Sequence, residues 1–203
     1  SNAGLTGMSK GAIGIGYSAG YSNQNAFGVA IGYQGGYYNQ QIGSINIGYQ
    51  AGFSGQGTQS IAIGYQAGYS GQAMSCIAIG EQTQYYSSIA SGSRVRSVAI
   101  GYLAQSYEYS VDSIAIGSYS GQSGQARGAI AIGLQAGQTA QKENAIAIGE
   151  WAGRISQGVD AVAIGENSGL ESQGRASVAI GYNAGRYSQS GSVAIGDSAG
   201  YFY

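Results

Sequence analysis

A short block of alternating large and small apolar residues returns along almost the whole chain. It reads Ile/Val–Ala–Ile–Gly, and its closing glycines are Gly16, Gly32, Gly48, Gly64, Gly80, Gly101, Gly117, Gly133, Gly149, Gly165, Gly181 and Gly196. The spacing is 16 residues, apart from 21 between Gly80 and Gly101 and 15 at the last step. Ile precedes the glycine in all twelve rows, and two residues before that Ile stands another Ile or a Val, again in all twelve. The position between them is Ala in ten rows, with Gly14 and Asn46 as the exceptions. The fourth residue before the glycine is always small, as at Ala12, Gly28, Ser44, Ser60, Cys76 and Ser97. A second glycine usually follows four residues later, as at Gly20, Gly52, Gly68, Gly137 and Gly185.

Alternation with a period of two is a strand signal, because successive side chains leave a strand on opposite faces. Ile and Val suit a pleated surface, and frequent Gly breaks helices. Five-residue strands at a constant period, punctuated by Gly turns, predict a solenoid. Sixteen residues cannot hold a helical crossover, so each coil is expected to have two short strands and two turns. The reading is an all-β parallel β-roll of about 12 coils, paired in register at about 4.8 Å. The Ile/Val face has the volume to fill the coil interior. The opposite face is small and never charged, which predicts close packing against copies of the chain in an oligomer. The residues expected at that interface are Ala30, Asn46, Ala62, Ala78, Ala99, Ala115, Ala131, Ala147, Ala163, Ala179 and Ala194. The reverse assignment, with Ala inside and Ile at the interface, also leaves the strand covered on both sides.

Composition narrows the class. The 203 residues include 38 Gly, 18 Tyr, one Cys, no Pro and no His, and only 8% are charged. High Gly without Pro excludes collagen, and low charge with many aromatic and β-branched residues argues against disorder. A net charge of −1 gives no electrostatic reason to bind nucleic acid. Without His, the commonest catalytic base and transition-metal ligand is missing. No catalytic, cofactor or metal residue is expected. Gly14, Gly16 and Gly20 do not form a phosphate loop, having the wrong spacing and no Lys. Ser1–Ala3 look like the remnant of a cleaved tag. No apolar run is long enough to cross a bilayer, so membrane attachment is expected only through regions outside this segment.

The rows Ser97-Val98-Ala99-Ile100-Gly101, Ser177-Val178-Ala179-Ile180-Gly181 and Ser192-Val193-Ala194-Ile195-Gly196 resemble the head repeat of trimeric autotransporter adhesins. The resemblance covers residues 12 to 200. It implies a left-handed β-roll, a homotrimer, and an extracellular place on a bacterial surface as a non-enzymatic attachment head for host cells or matrix. The longer units at Gly48–Gln56 and Gly64–Gln72 look like repeats in surface glycoproteins of large algal viruses, which implies a virion setting instead. A purely structural rod without ligand is the further alternative.

Charge divides the repeat domain into residues 4–80, which are Tyr-rich and carry no charge from 11 onward, an irregular stretch at 81–113, and a charged, regular stretch at 114–203. Tyr17, Tyr33, Tyr49 and Tyr65 follow the register glycines, and Tyr21, Tyr37, Phe53 and Tyr69 form a second column. Such columns become ladders, either to bind a host glycan with aromatic faces and neighbouring amides or simply to brace the stack. In the irregular stretch, Tyr85, Tyr86, Arg94, Arg96, Tyr107 and Tyr109 are candidate ligand-binding residues, with the arginines suited to a carboxylate. Glu150 and Glu166 share a column in adjacent coils, and Arg154 is the expected partner of Glu150. A glycosidase or calcium role for the two acids, and ice binding by a flat face, are the remaining alternatives.

Overall fold

A computed structural model describes residues 3–4, 6–86, 96–107 and 111–201. The chain is a parallel β-solenoid of about 11 turns, about 16 residues per turn, with no helix among the described residues. Twelve rows bound eleven intervals, one fewer than the number of rows. Two compact units divide between Tyr109 and Ser110, inside the irregular stretch.

In the first unit the main ladder is built from β1 (Ile13–Ile15), β3 (Val29–Ile31), β5 (Ile45–Ile47), β6 (Ile61–Ile63), β7 (Ile77–Ile79) and β8 (Val98–Ile100). Each pairs parallel with the next and in register, Ile13 with Val29 and Ile61 with Ile77. The other side of the coil carries β2 (Ser22–Gln24) and β4 (Tyr38–Gln40), continued by single bridges Tyr38–Ser54, Ser54–Ser70 and Ser70–Tyr86. In the second unit β9 (Ile114–Ile116), β10 (Ile130–Ile132), β11 (Ile146–Ile148), β12 (Val162–Ile164), β13 (Val178–Ile180) and β14 (Val193–Ile195) repeat the main ladder. Bridges Ser123–Thr139, Thr139–Ile155, Ile155–Glu171 and Glu171–Tyr187 form its second side. The strands are three residues long rather than five, because the register glycine already turns the chain.

The turns explain the composition. In the coil beginning at Gly133, positive φ occurs at Gly133 (131°), Gln135 (54°), Gly137 (51°), Ala140 (57°) and Asn144 (55°). Five such positions in one coil favour Gly, Asn and other polar turn residues. The register glycine has a second constraint. A Cβ on Gly133 would lie 2.5 Å from the carbonyl oxygen of Gly149 in the next coil.

The two faces of the main ladder are the reverse of the first expectation. Ala30, Asn46, Ala62, Ala78, Ala99, Ala115, Ala131, Ala147, Ala163 and Ala179 have no exposed surface, and Ala194 has 5%. They face the inside of their own coil and are closed to a second chain. The Ile and Val side chains point outward and stay partly exposed. The reason is space. Ala131, Ala147 and Ala163 pack directly against Ala136 and Ala152, and at these positions the turn alanines leave no room for Ile.

The largest fully buried side chains are glutamines, not aliphatics. Eight residues past the register glycine stand Gln24, Gln40, Gln56, Gln72, Gln125, Gln141, Gln157, Gln173 and Gln189. Gln157 Nε2 donates to the carbonyls of Ile146 (2.6 Å) and Ala161 (3.2 Å) and to Gln173 Oε1 (3.2 Å). Gln125 and Gln141 donate to the next glutamine in the same way. The amides therefore reach across the coil to main-ladder carbonyls of two adjacent coils, and bond one another. They also account for the second glycine column, since a Cβ on Gly137 would lie 2.5 Å from Gln141 Oε1. Where residues 88 and 109 are not Gln, Gln84 and Gln105 stand in the second-glycine column instead. Gln72 then donates to Gln84 and Gln84 to Gln105, each at 2.9 Å, so the ladder continues.

Asn46 interrupts this core. It is fully buried with neither amide atom hydrogen-bonded, and the buried Gln40 Nε2 also has no partner. An unsatisfied buried polar group costs about 1–3 kcal/mol. Asn46→Ala removes two such atoms and gives this row the alanine of its neighbours Ala30 and Ala62. It is expected to stabilise the chain by about 2 kcal/mol, raising the thermal midpoint by roughly 4–8 °C. An unchanged or lower midpoint in a thermal melt would contradict this.

Candidate functional site

The Tyr columns form ladders in the first unit. Tyr17, Tyr33, Tyr49 and Tyr65 stack with ring centroids 5.1–5.2 Å apart and planes within 7–11°. Beside them Gln50 donates to Gln34, Gln66 to Gln50 and Gln82 to Gln66, at 2.9–3.2 Å. The ring faces are turned toward one another, so the ladder shows solvent its edges and hydroxyls. A sugar ring cannot lie flat on faces that are already stacked. For the inner rings Tyr33 and Tyr49, stacked on both faces, bracing is therefore the role the geometry supports.

The second ladder runs Tyr21, Tyr37, Phe53, Tyr69, Tyr85, with centroids 4.7–5.1 Å apart and planes within 12°. It stops at Tyr85 because the next residue in the column is Ser106. A cavity of about 250 Å³ lies there, lined by Gln82, Tyr85, Tyr86, Leu103, Ser106 and Tyr107. Tyr85 meets Tyr86 edge-on at 4.5 Å, and Tyr86 and Tyr107 stack at 6.2 Å, wider than the other rungs. Ser106 is 1% exposed and its Oγ has no hydrogen-bond partner. Burial, reinforced by the neighbouring phenols Tyr86, Tyr69 and Tyr65, pushes the Tyr85 hydroxyl above its ordinary pKa. The structure thus gathers Tyr85, Tyr86 and Tyr107 from the candidate residues and adds Gln82, Leu103 and Ser106. The sequence signal for this spot is the replacement of an aromatic by Ser in one column.

Arg94 and Tyr109 lie outside the described residues. Arg96 is exposed, and its backbone N–H donates to the Met74 carbonyl at 3.4 Å. Arg154 does not turn to Glu150; its Nε donates to Gln138 Oε1 at 3.0 Å in the preceding coil. That column continues the second aromatic ladder's position, so Arg154 lies over Gln138 rather than beside the acid. Among the described residues no group of three or more His, Cys, Asp or Glu could hold a metal ion. Burial raises the Cys76 thiol pKa, only partly offset by a hydrogen bond from Ser97 at 3.3 Å, which leaves it a poor nucleophile.

No protein-family model, no curated protein and no solved structure matches this chain.

Proposed function

We propose that the chain is a non-enzymatic module of a trimeric surface fibre, assembled through its Ile/Val face and serving attachment. The observation that carries the reading is the outward ladder of Ile and Val on each unit. In the second unit it holds Ile114, Ile130, Ile146, Val162, Val178 and Val193 in one column and Ile116, Ile132, Ile148, Ile164, Ile180 and Ile195 in the other. Neither column carries a charge in any row. Six rungs at about 4.8 Å make an apolar strip roughly 24 Å long from first to last, and such strips on soluble proteins mark interfaces.

The occupant is further copies of the chain. Every rung is alike, so copies aligned in parallel about an axis along the solenoid bring each rung opposite its own equivalents. The repeat's resemblance to trimeric autotransporter heads selects three copies and a bacterial surface; its resemblance to algal-virus glycoproteins supports a virion as the alternative setting. A structural rod without ligand shares the same assembly and differs only in binding nothing.

Sedimentation equilibrium at micromolar concentration should give three times the chain mass of 20.5 kDa. Ile132→Lys sets a charge in the middle of the strip and is expected to release monomers while leaving the β spectrum unchanged. A monomeric wild type, or a variant that sediments like the wild type, would overturn the assembly.

A further inference from the structure

We propose that the cavity at the end of the second aromatic ladder binds a single neutral sugar ring. The proposal names the ligand class for the attachment reading above and takes from it only the ligand's source, a glycan on the surface to be bound.

The ladder lacks one rung. From Tyr21 to Tyr85 each ring has its neighbour about 5 Å away, so both faces of the inner rings are occupied. Tyr69 covers one face of Tyr85. On the other side the column continues with Ser106, whose side chain ends far short of a ring, and the cavity takes up the difference. Tyr85 is therefore the end ring of this ladder at the cavity, with a face available for stacking against a ligand. Sugar rings pack a face of C–H groups on aromatic faces of this kind.

The rim is chemically matched. Ser106 Oγ is buried at the cavity without a partner. The amide ladder also stops here: Gln82 Nε2 donates down to Gln66, but the next rung is Leu103, so no ladder amide donates to Gln82 Oε1. A ligand must then supply both donor and acceptor at its edge, and hydroxyl groups do both. Among the described residues none of the six lining side chains is charged, which favours a neutral ring over an acidic sugar. The volume, about 250 Å³, lies below that of pockets for drug-sized ligands and suits one ring.

The test uses the intact chain with ¹³C-labelled tyrosine rings. Methyl glucopyranoside, methyl galactopyranoside, methyl mannopyranoside and N-acetylglucosamine are each titrated while the ring resonances are followed by NMR. At least one of them should shift Tyr85, Tyr86 and Tyr107 saturably and leave Tyr17 and Tyr33 in place. Ser106→Tyr supplies the missing rung in a column that already holds rings in the preceding coils. It should weaken binding at least tenfold and raise the thermal midpoint. Tyr85→Ala, which removes the stacking face, should weaken binding equally. Silence of these resonances with all four sugars overturns the site. So does undiminished affinity in Ser106→Tyr, or a response to benzyl alcohol without one to the sugars, which would make the cavity an aromatic-ring site. Sedimentation of the same samples separates the two readings: a trimer with a silent cavity overturns the site alone, and a monomer with a saturable response overturns the assembly alone.

Discussion

Gly133→Ala is expected to be among the most damaging single-atom-scale changes to this chain, lowering the thermal midpoint by roughly 8–16 °C. Two costs add. The φ of Gly133 is 131°, a region closed to residues with a Cβ, and holding one there costs on the order of 1–3 kcal/mol. The new Cβ would also lie 2.5 Å from the Gly149 oxygen and 2.7 Å from its carbonyl carbon. Neither atom belongs to a flexible side chain. The coils would have to part, and the parallel hydrogen bonds beside the clash, such as Gly149 N–H to Ile132 O at 2.8 Å, would lengthen. Overpacking of this kind adds about 1–3 kcal/mol. A total near 4 kcal/mol corresponds to the shift stated for a chain of this length. Gly196→Ala is the control. Its φ is 118°, yet nothing lies within 4 Å of the added carbon. It should bear the backbone strain alone and melt well above Gly133→Ala by far-ultraviolet circular dichroism. Equal midpoints would show that the register glycines serve only backbone conformation and not the stacking distance.

The same columns carry much of the fold in the sequence itself. The 16-residue period and the Ile–Ala–Ile alternation led directly to parallel, in-register stacking, because identical rows can only be satisfied by placing them side by side. Alternation says that two faces differ; it does not say which is inside. Side-chain volume points to Ile as the filler, but at these strand positions the turn alanines close the space and glutamines from the second side fill the rest. The deciding signal was present in another column. Gln recurs at 24, 40, 56, 72, 125, 141, 157, 173 and 189 and is never exchanged for Glu or Lys there. A solvent-facing column would tolerate that exchange; a buried amide would not. The aromatic columns were likewise legible as ladders, but their function depended on ring orientation. Stacking on both sides hides the faces of Tyr33 and Tyr49, and a face is left free only where a ladder ends.

Gln157→Met tests the amide core and should destabilise the chain by about 4 kcal/mol. Methionine keeps the length and most of the volume of glutamine, so the change is chiefly electrostatic. The Ile146 and Ala161 carbonyls and Gln173 Oε1 would each lose the donor they share, and Gln141 would lose its acceptor, now 3.1 Å away. Each buried group left without a partner costs about 1–3 kcal/mol, and some of that is recovered where the Ile146 and Ala161 carbonyls keep other contacts. Gln189→Met is the comparison, because the Oε1 of Gln189 is already unpartnered and less is there to lose. Chemical denaturation should rank Gln157→Met well below Gln189→Met. The sign matters as much as the size. Asn46→Ala deletes a buried amide and should stabilise; Gln157→Met deletes a buried amide and should destabilise. The residue type and the burial are similar, so the difference rests on whether the coil supplies partners. If both substitutions moved stability in the same direction, the ladder of glutamines would be filling space rather than tying the two walls of each coil together.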